Sequence, residues 1–356
     1  MRLLVLPRYD ADGASSRLRM LQYLPALQAM GVGAEVAPLL GDGYVSDLYA
    51  GSMSVPKVAR AYARRLRRLL SAGQFDALWV EKEMWPWLPA WLELASMPSR
   101  PRLVVDYDDA VFHRYDQHRS FLVRGLLGRK IEAVMARADM VTVGNDYLAD
   151  RARAAGCKRV EWLPTVIDLE RYPAPAQREV AGPVVVGWIG SPATAGYLSE
   201  VAGALAPLQA AGQIRCVAIG ARPDQVQGTP FQAQVWREDT EVEQLQQLDI
   251  GIMPLQDEPW ERGKCGYKLI QYMACGLPVV ASPVGVNEVI VSSEEGFLAS
   301  TPEQWSDALS QLVADPALRS AMGRAGRRKV EETYSLQAQA PRLGRVLRDV
   351  AKEAAS

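Results

Sequence analysis

The segment Glu261-Arg-Gly-Lys-Cys-Gly-Tyr-Lys268 sets two glycines and three cations, Arg262, Lys264 and Lys268, around the start of the apolar run Leu269 to Cys275. A helix beginning there aims unpaired N–H groups and the positive end of its dipole at one spot, which favours an anion. Lys264 and Lys268 are four apart and on a helix would share a face. The plainer reading leaves each lysine singly in solvent, and Lys268 in particular as an exposed helix lysine. Gly276 stops this helix, and Pro278 opens a buried strand. A weaker anion signal is Gly190-Ser-Pro-Ala-Thr194, where glycine admits a phosphate to the backbone and Ser191 and Thr194 add hydroxyls. Such a turn also serves as a tight strand-to-helix connection. Acid chemistry concentrates in Asp106-Tyr-Asp-Asp109, three carboxylates in four residues after an apolar strand. That is costly unless they are exposed or functional. Asp108 and Asp109 are the candidates and His113 a further one, with helix capping the rival role for either aspartate.

Short strand-like runs alternating with helical stretches in both halves must position these groups, a pattern that predicts parallel sheets covered on both faces. Strands are expected at 3–6, 34–37, 77–80, 103–106 and 140–143, with a helix over 16–30 capped by Ser15 or Ser16, and 160–164 leading to a boundary. Residues 168–183 carry Pro173, Pro175, Gly182 and Pro183 and read as a linker. Beyond it, strands are expected at 184–189, 216–219, 250–253 and 279–281, with helices near Tyr197 and at 241–247 and 267–275. Thr301 and Gln304 form a capping box with Pro302 at the first helical position. A long helix over 337–354 closes the chain. The domains expected are 1–167, the linker 168–183, 184–336, and a terminal helical segment 337–356 packing back toward the first domain.

A length of 356 residues suits two domains. The balance of 40 basic and 41 acidic residues argues against a global grip on nucleic acid. Four cysteines without C-x-x-C spacing and two histidines make a structural zinc site unexpected, and a cytoplasmic setting fits best. The first residues are too short an apolar run for a signal peptide, and no stretch approaches a membrane span.

The run Gly263-Lys-Cys-Gly-Tyr-Lys-Leu-Ile-Gln-Tyr-Met-Ala-Cys-Gly-Leu-Pro-Val-Val-Ala-Ser-Pro-Val-Gly285 resembles the donor-site segment of the family 4 glycosyltransferases. Asp249-Ile-Gly-Ile-Met-Pro-Leu255, Gly187-Trp-Ile-Gly-Ser191, Asn145-Asp-Tyr-Leu-Ala149 and Leu163-Pro-Thr-Val-Ile-Asp168 fall in that family's order, so the resemblance spans nearly the whole chain. It implies the α/β GT-B fold, two facing Rossmann-like doubly wound domains with a cleft between them, and retention of anomeric configuration. The first domain would bind the acceptor and the second a nucleoside diphosphate sugar.

The family carries two glutamates at the positions of Gly263 and Gln271. Gln271 can still bond a ribose hydroxyl, without the charge that strengthens such a bond. For the missing carboxylate, Glu261 or Glu258 shifts into place, or the chain manages without it. Lys264 and Lys268 are the candidates for the diphosphate, because fixed cations and N–H groups stabilise the negative charge that develops on it as it leaves, with no metal required, and Gly266 is a further donor-binding candidate. It assigns Trp236-Arg237-Glu238 to the base, against Trp236 as ordinary core. The position of Asp108 and Asp109 resembles that of a catalytic histidine or sugar-contacting carboxylate. Gly13 and Arg17 resemble a glycine loop approaching the donor phosphates from the first domain, though Arg17 and Arg19 also fit a solvated surface.

In 57–70, Lys57, Arg60, Arg64, Arg67 and Arg68 stand opposite Val58, Tyr62, Leu66 and Leu69 at helical spacing, with no acid. This helix suits either an anionic lipid surface or a basic solvent face. The expected function is a hexosyltransferase-type glycosyltransferase using a UDP- or GDP-sugar and a glycan or lipid-linked acceptor, in bacterial surface polysaccharide or glycoconjugate synthesis. It would work without metal, on the inner face of the membrane or in the cytoplasm. The rivals are an inactive transferase-like binding subunit, favoured by the absent glutamates, and a sugar-nucleotide epimerase, disfavoured by only two histidines.

Overall fold

The computed structural model describes residues 1–41, 43–44, 54–174 and 182–352. Residues 175–181 of the expected linker and 353–356 of the closing segment lie outside them. Two compact units emerge. The first comprises Met1–Val166, Gly263–Cys265 and Leu336–Ser356, and the second Ile167–Arg262 and Gly266–Ser335.

The first unit is built on β1 (Arg2–Leu6), β2 (Gly33–Val36), β3 (Ala77–Glu81), β4 (Arg102–Tyr107), β5 (Met140–Val143) and β6 (Val160–Trp162). They form one parallel sheet in the order β2-β1-β3-β4-β5-β6. The inner strands are apolar on both faces, as a sheet covered on both sides requires. Its helices are α1 (Ala14–Arg19), α2 (Leu24–Ala29), α3 (Val55–Leu70), α4 (Ala90–Ser96), α5 (His113–Asp116), α6 (Phe121–Leu127), α7 (Lys130–Arg137) and α8 (Asp146–Ala154).

The single helix expected over 16–30 is in fact α1, a 3₁₀ turn at Leu21–Tyr23, and α2. Pro25, without an N–H, sits in the first turn of α2 and starts a new helix there. Neither Ser15 nor Ser16 caps α1; Gly13 takes the N-cap position and both hydroxyls turn to carboxylates instead. In α3 the buried face is Ala61, Arg65 and Leu69, whereas Leu66, expected on the apolar side, is exposed. Arg65 occupies the inner position because its guanidinium donates to the carbonyls of Pro7 and Ala37, at 2.9 and 3.1 Å.

The second unit is built on β7 (Val184–Ile189), β8 (Ile214–Ile219), β9 (Phe231–Gln234), β10 (Ile250–Met253), β11 (Val279–Ala281) and β12 (Gly296–Leu298). These strands are parallel in the order β12-β11-β10-β7-β8-β9. Helices α9 (Ser199–Ala210), α10 (Glu241–Gln246), α11 (Pro259–Arg262), α12 (Tyr267–Ala274), α13 (Asn287–Ile290), α14 (Pro302–Ala314) and α15 (Pro316–Thr333) complete it. The capping box forms as expected: Thr301 accepts from Gln304 N, and Gln304 reaches back to the Thr301 N–H. Strands β9 and β12 were not expected. Both lie at sheet edges and are only three or four residues long, too short for a periodic signal. The closing helix α16 (Leu336–Lys352) belongs to the first unit, where Ala340, Leu343, Leu347 and Val350 pack with Leu3, Val5, Leu27 and Trp79.

Strand order reverses between β1 and β3 in the first unit and between β7 and β10 in the second. In open parallel sheets a ligand crevice lies beyond the carboxyl ends at such a point.

Candidate active site

In the first unit, the carboxyl ends of β1, β3 and β4 bring together charges far apart in sequence. Glu81 ends β3, buried, and accepts from the Arg8 N–H at 2.7 Å and from the Ser16 hydroxyl. Lys82 follows in a left-handed conformation, φ 63°, rare for a residue with a side chain. That turn directs its ammonium to Asp108 Oδ1 at 2.9 Å and to Ser15 Oγ at 3.1 Å. Ser15 Oγ in turn lies 2.8 Å from both Glu81 Oε1 and Asp108 Oδ2, so its one proton serves one carboxylate at a time. Below this layer, Arg19 makes a bidentate pair with Asp106 at 2.7 and 2.8 Å, both fully buried, and Thr142 donates to the same carboxylate. The solvated reading of Arg19 is therefore wrong: this guanidinium is what makes a buried Asp106 tolerable.

The two candidate aspartates differ. Burial alone would raise the Asp108 carboxyl, but Lys82 and Arg19 outweigh it and hold it below the usual range. Asp109 is pushed up to about 6, first by burial and next by the Asp108 charge, with Lys82, Lys264 and Arg114 opposing. Its carboxylate accepts no hydrogen bond from a described residue. Neither aspartate caps α5, whose N-cap is Phe112. His113 has both ring nitrogens engaged, Nδ1 with Asp116 at 2.8 Å and Nε2 with the Tyr147 hydroxyl at 2.7 Å, which leaves no free nitrogen for chemistry.

The tripeptide Gly263–Cys265 is seated on these same strand ends. Asn145 Nδ2 donates to the Lys264 carbonyl at 2.8 Å, and the Cys265 thiol to the Asp108 carbonyl at 2.8 Å. Gly144 leaves room for that sulfur, since a Cβ there would stand 2.0 Å from it. A Cβ on Gly263 would lie 2.4 Å from Ala110 Cβ and 2.7 Å from its nitrogen. No glutamate fits at position 263, because the chain following Asp109 already fills that volume. Lys264 precedes the N-cap Gly266 and lies outside α12, so Lys264 and Lys268 do not share a helix face. On the entry loop of this unit, Gly13 packs against Tyr9 without room for a Cβ, and Arg17 donates to the Ala11 carbonyl at 2.9 Å.

In the second unit the reversal point is nearly free of charge. The Tyr272 hydroxyl, which sequence reasoning missed, accepts from Ile189 N at 2.8 Å and donates to the Ile252 carbonyl at 3.2 Å, tying α12 to the ends of β7 and β10. Gly190 follows β7; a Cβ there would meet the Trp188 ring at 2.4 Å and Lys268 Cε at 2.8 Å. The Lys268 ammonium stands 5.6 Å from the Trp188 ring centroid, a cation–π distance, so this lysine is held rather than loose in solvent. Ser191 is exposed beside Gly190, while the Thr194 hydroxyl donates to the Ser191 carbonyl and is not a free donor. Gly266 enters α12 at φ 65°, where a Cβ would strike Ile290.

Gln271 is buried and donates to the Tyr172 hydroxyl at 2.8 Å. Tyr172 donates to Glu241 Oε1 at 2.7 Å, and Glu241 Oε2 accepts from Trp236 Nε1 at 2.7 Å. One relay thus joins the ribose and base candidates. Trp236 is exposed, against its reading as core, and Arg237 beside it is exposed too. Glu261 is buried and bonded by the Tyr197 hydroxyl, and Glu258 is exposed. Both belong to the second unit, and Glu261 is already committed to a partner.

All four cysteines are free and buried, and among the described residues no group of three or more His, Cys, Asp or Glu is placed to hold a metal.

Residues 184–315 match the sequence model of the family described as Glycosyl transferases group 1. Over that segment the chain is similar to the group 1 glycosyltransferases. Among curated relatives, the GDP-mannose-dependent monoacylated alpha-(1-6)-phosphatidylinositol monomannoside mannosyltransferase of Corynebacterium glutamicum is 34% identical over 84 residues. That match covers 23% of this chain and 22% of the relative, so the chain spans about a fifth of its length. Among solved structures, sucrose-phosphate synthase from Thermosynechococcus elongatus aligns over 100% of both chains with a TM-score of 0.70 at 18% identity. Anabaena HepE in complex with UDP-glucose aligns over 98% of this chain and 100% of that one, TM-score 0.71 at 15% identity. These likenesses establish the GT-B fold.

Proposed function

We propose that this chain transfers a glycosyl group from a nucleoside diphosphate sugar to an acceptor hydroxyl, with retention and without a metal. The bond from the anomeric carbon to the diphosphate oxygen breaks with its electron pair on the diphosphate, the acceptor oxygen bonds that carbon, and the acceptor proton is released. Lys264 and Lys268 stabilise the departing diphosphate, with Gly13, Arg17, Gly190, Ser191 and Gly266 shaping its surroundings. Gln271 and the relay through Tyr172 and Glu241 to Trp236, with Arg237 beside it, serve the nucleoside.

The observation that carries this reading is the seat of Gly263 on Ala110. The carboxylate that the family places at that position is supplied instead by Asp109, next to Ala110, whose proton affinity suits a group that meets a hydroxyl of the sugar or acceptor near neutral pH. Asp108, fixed by Lys82 and Ser15, raises the proton affinity of Asp109 through its charge.

The UDP-glucose of the Anabaena neighbour and the GDP-mannose of the Corynebacterium relative support a UDP- or GDP-hexose donor, and the lipid in the latter's name a lipid-linked or glycan acceptor in surface glycoconjugate synthesis. Among the described residues no helix is long and apolar enough to cross a membrane. The basic face of α3 fits a peripheral site on the cytoplasmic leaflet, although Arg68 is paired with Glu35. Thermal shift against UDP-, GDP-, dTDP- and ADP-sugars, followed by transfer with the stabilising donor, tests the assignment. Turnover lost when Lys264 and Lys268 become alanine supports it. Donor binding without hydrolysis or transfer points instead to a binding subunit, the reading that Gly263 and Gln271 favour.

A further inference from the structure

The hydrogen bonds between Trp236 and Gln271 have a fixed direction, and Glu241 sets it. The Trp236 indole N–H can only donate, so Glu241 Oε2 accepts from it at 2.7 Å. The other carboxylate oxygen, Oε1, accepts from the Tyr172 hydroxyl at 2.7 Å. No cation pairs with this carboxylate among the described residues. Tyr172 is 2% exposed. Burial, followed by the charges of Tyr267 and Glu241, pushes its hydroxyl well above the usual tyrosine pKa, so it keeps its one proton and spends it on Glu241.

What Tyr172 offers Gln271 is therefore a lone pair. The Gln271 amide meets it with Nε2 at 2.8 Å, which turns the carbonyl oxygen Oε1 the other way. The two ends of an amide are nearly equal in size, and only such partners decide which way it faces. Oε1 accepts from no described residue and is not closed off from solvent. Tyr172 is itself tied to the helix that carries Gln271, because Arg327 donates to the carbonyls of Tyr172 and of Ala274, the last residue of α12, at 2.7 and 2.6 Å. All these residues belong to the second unit.

Where the family 4 glycosyltransferases carry a glutamate, this chain thus has a neutral amide whose outward face is governed by a carboxylate two hydrogen bonds away. Successive hydrogen bonds polarise one another, so the Glu241 charge also makes the Gln271 oxygen a better acceptor. We propose that Glu241 is a positioning residue for the donor: acting through Tyr172, it holds the Gln271 carbonyl oxygen outward, so that the site selects a ribose hydroxyl that donates over a substituent that cannot. This rests on the nucleotide-binding half of the transfer reading and not on turnover. Without Glu241, the Tyr172 proton turns to the Gln271 oxygen, and that oxygen is no longer presented to the ribose.

The test is calorimetric binding of UDP and GDP to the full chain, each compared with analogues in which fluorine replaces the ribose 2′- or 3′-hydroxyl. Fluorine keeps the size of the hydroxyl and has no proton to donate. The wild type is expected to bind the parent nucleotide about tenfold more tightly than one of its fluoro analogues, the scale of one hydrogen bond. Glu241→Ala, checked by its melting temperature, should narrow that ratio to about threefold or less, as should Tyr172→Phe, whereas Trp236→Phe should keep the wild-type ratio. In a Gln271→Ala background, Glu241→Ala should change the ratio no further. A purely structural role for Glu241 would weaken parent and analogue alike and leave the ratio as it was. That result, a wild-type ratio near one, or independent effects of the two substitutions would overturn the proposal alone. Failure of the wild type to bind either nucleotide would instead sink the donor reading, and this proposal with it.

Discussion

The carboxyl ends of β1, β3 and β4 in the first unit are crowded with ionised side chains, while the ends of β7, β8 and β10 in the second present glycines and neutral hydrogen bonds. In the first, Lys82, Arg19 and Ser15 are engaged with Glu81, Asp106 and Asp108, and only Asp109 keeps a carboxylate without a hydrogen-bond donor among the described residues. In the second, Gly190 and Gly220 approach each other so closely that a Cβ on Gly220 would lie 2.2 Å from the Gly190 carbonyl oxygen, and Gln271 reaches Glu241 through a tyrosine. One edge holds charge in fixed places, and the other uses glycines to let backbone, ring and lysine stem pack closely. Preorganised charge and preorganised space are different contributions, and substitutions should separate them.

The largest effect is expected from Arg19→Met, which strands a buried Asp106 and should lower stability by about 3–5 kcal/mol in chemical denaturation. A small change there would mean that the buried layer under the first edge is not held by charge pairing. Next, Asp109→Asn should reduce the transfer rate by roughly 10² or more while leaving donor affinity nearly intact. The same substitution should raise the melting temperature at pH 7–8 by a few degrees. Because the folded value near 6 lies above an unfolded value of about 3.9, the native chain holds this proton more tightly. Stability from it is complete below pH 4 and lost as pH rises through 6, so the gain of the asparagine variant should vanish in acid.

In the second unit, Gly190→Ala should cost about 1–3 kcal/mol, since its Cβ has no room beside the Trp188 ring, and should weaken donor binding more than it slows turnover. An unchanged donor affinity would break the claim that this edge works through space. Smallest, Gln271→Ala should raise the donor KM by about tenfold or less, the scale of one neutral hydrogen bond, with kcat little altered.

Much of the scaffold was legible because the inner strands of a parallel sheet are continuous apolar runs: β5, β7, β10 and β11 fall where their residues predict. The Thr301 cap was equally legible, being a local pattern. The edge strands β9, with two glutamines, and β12, opened by a glycine, were not, since neither is a continuous apolar run, and the first helix breaks where Pro25 starts a new one. At the candidate site, sequence singled out Asp108 and Asp109 but could not rank one against the other. That difference comes from Lys82 and Ser15, and the short Glu81-Lys-Glu83 run at the end of β3 reads as a solvated charged turn until the fold buries it. Nor could local spacing reveal that Lys264 sits on strand ends over a hundred positions earlier in the chain, or that Gln271 meets Tyr172 from 99 residues away.

The first edge is credited with one acting carboxylate, and the pH dependence of kcat/KM for glycosyl transfer, measured on wild type and Asp109→Asn, tests this most directly. The wild type should lose activity below a midpoint near pH 6 as Asp109 gains its proton, and the variant should show a low rate without that acid limb. An acid limb of the same midpoint in a variant of undiminished rate would contradict the account.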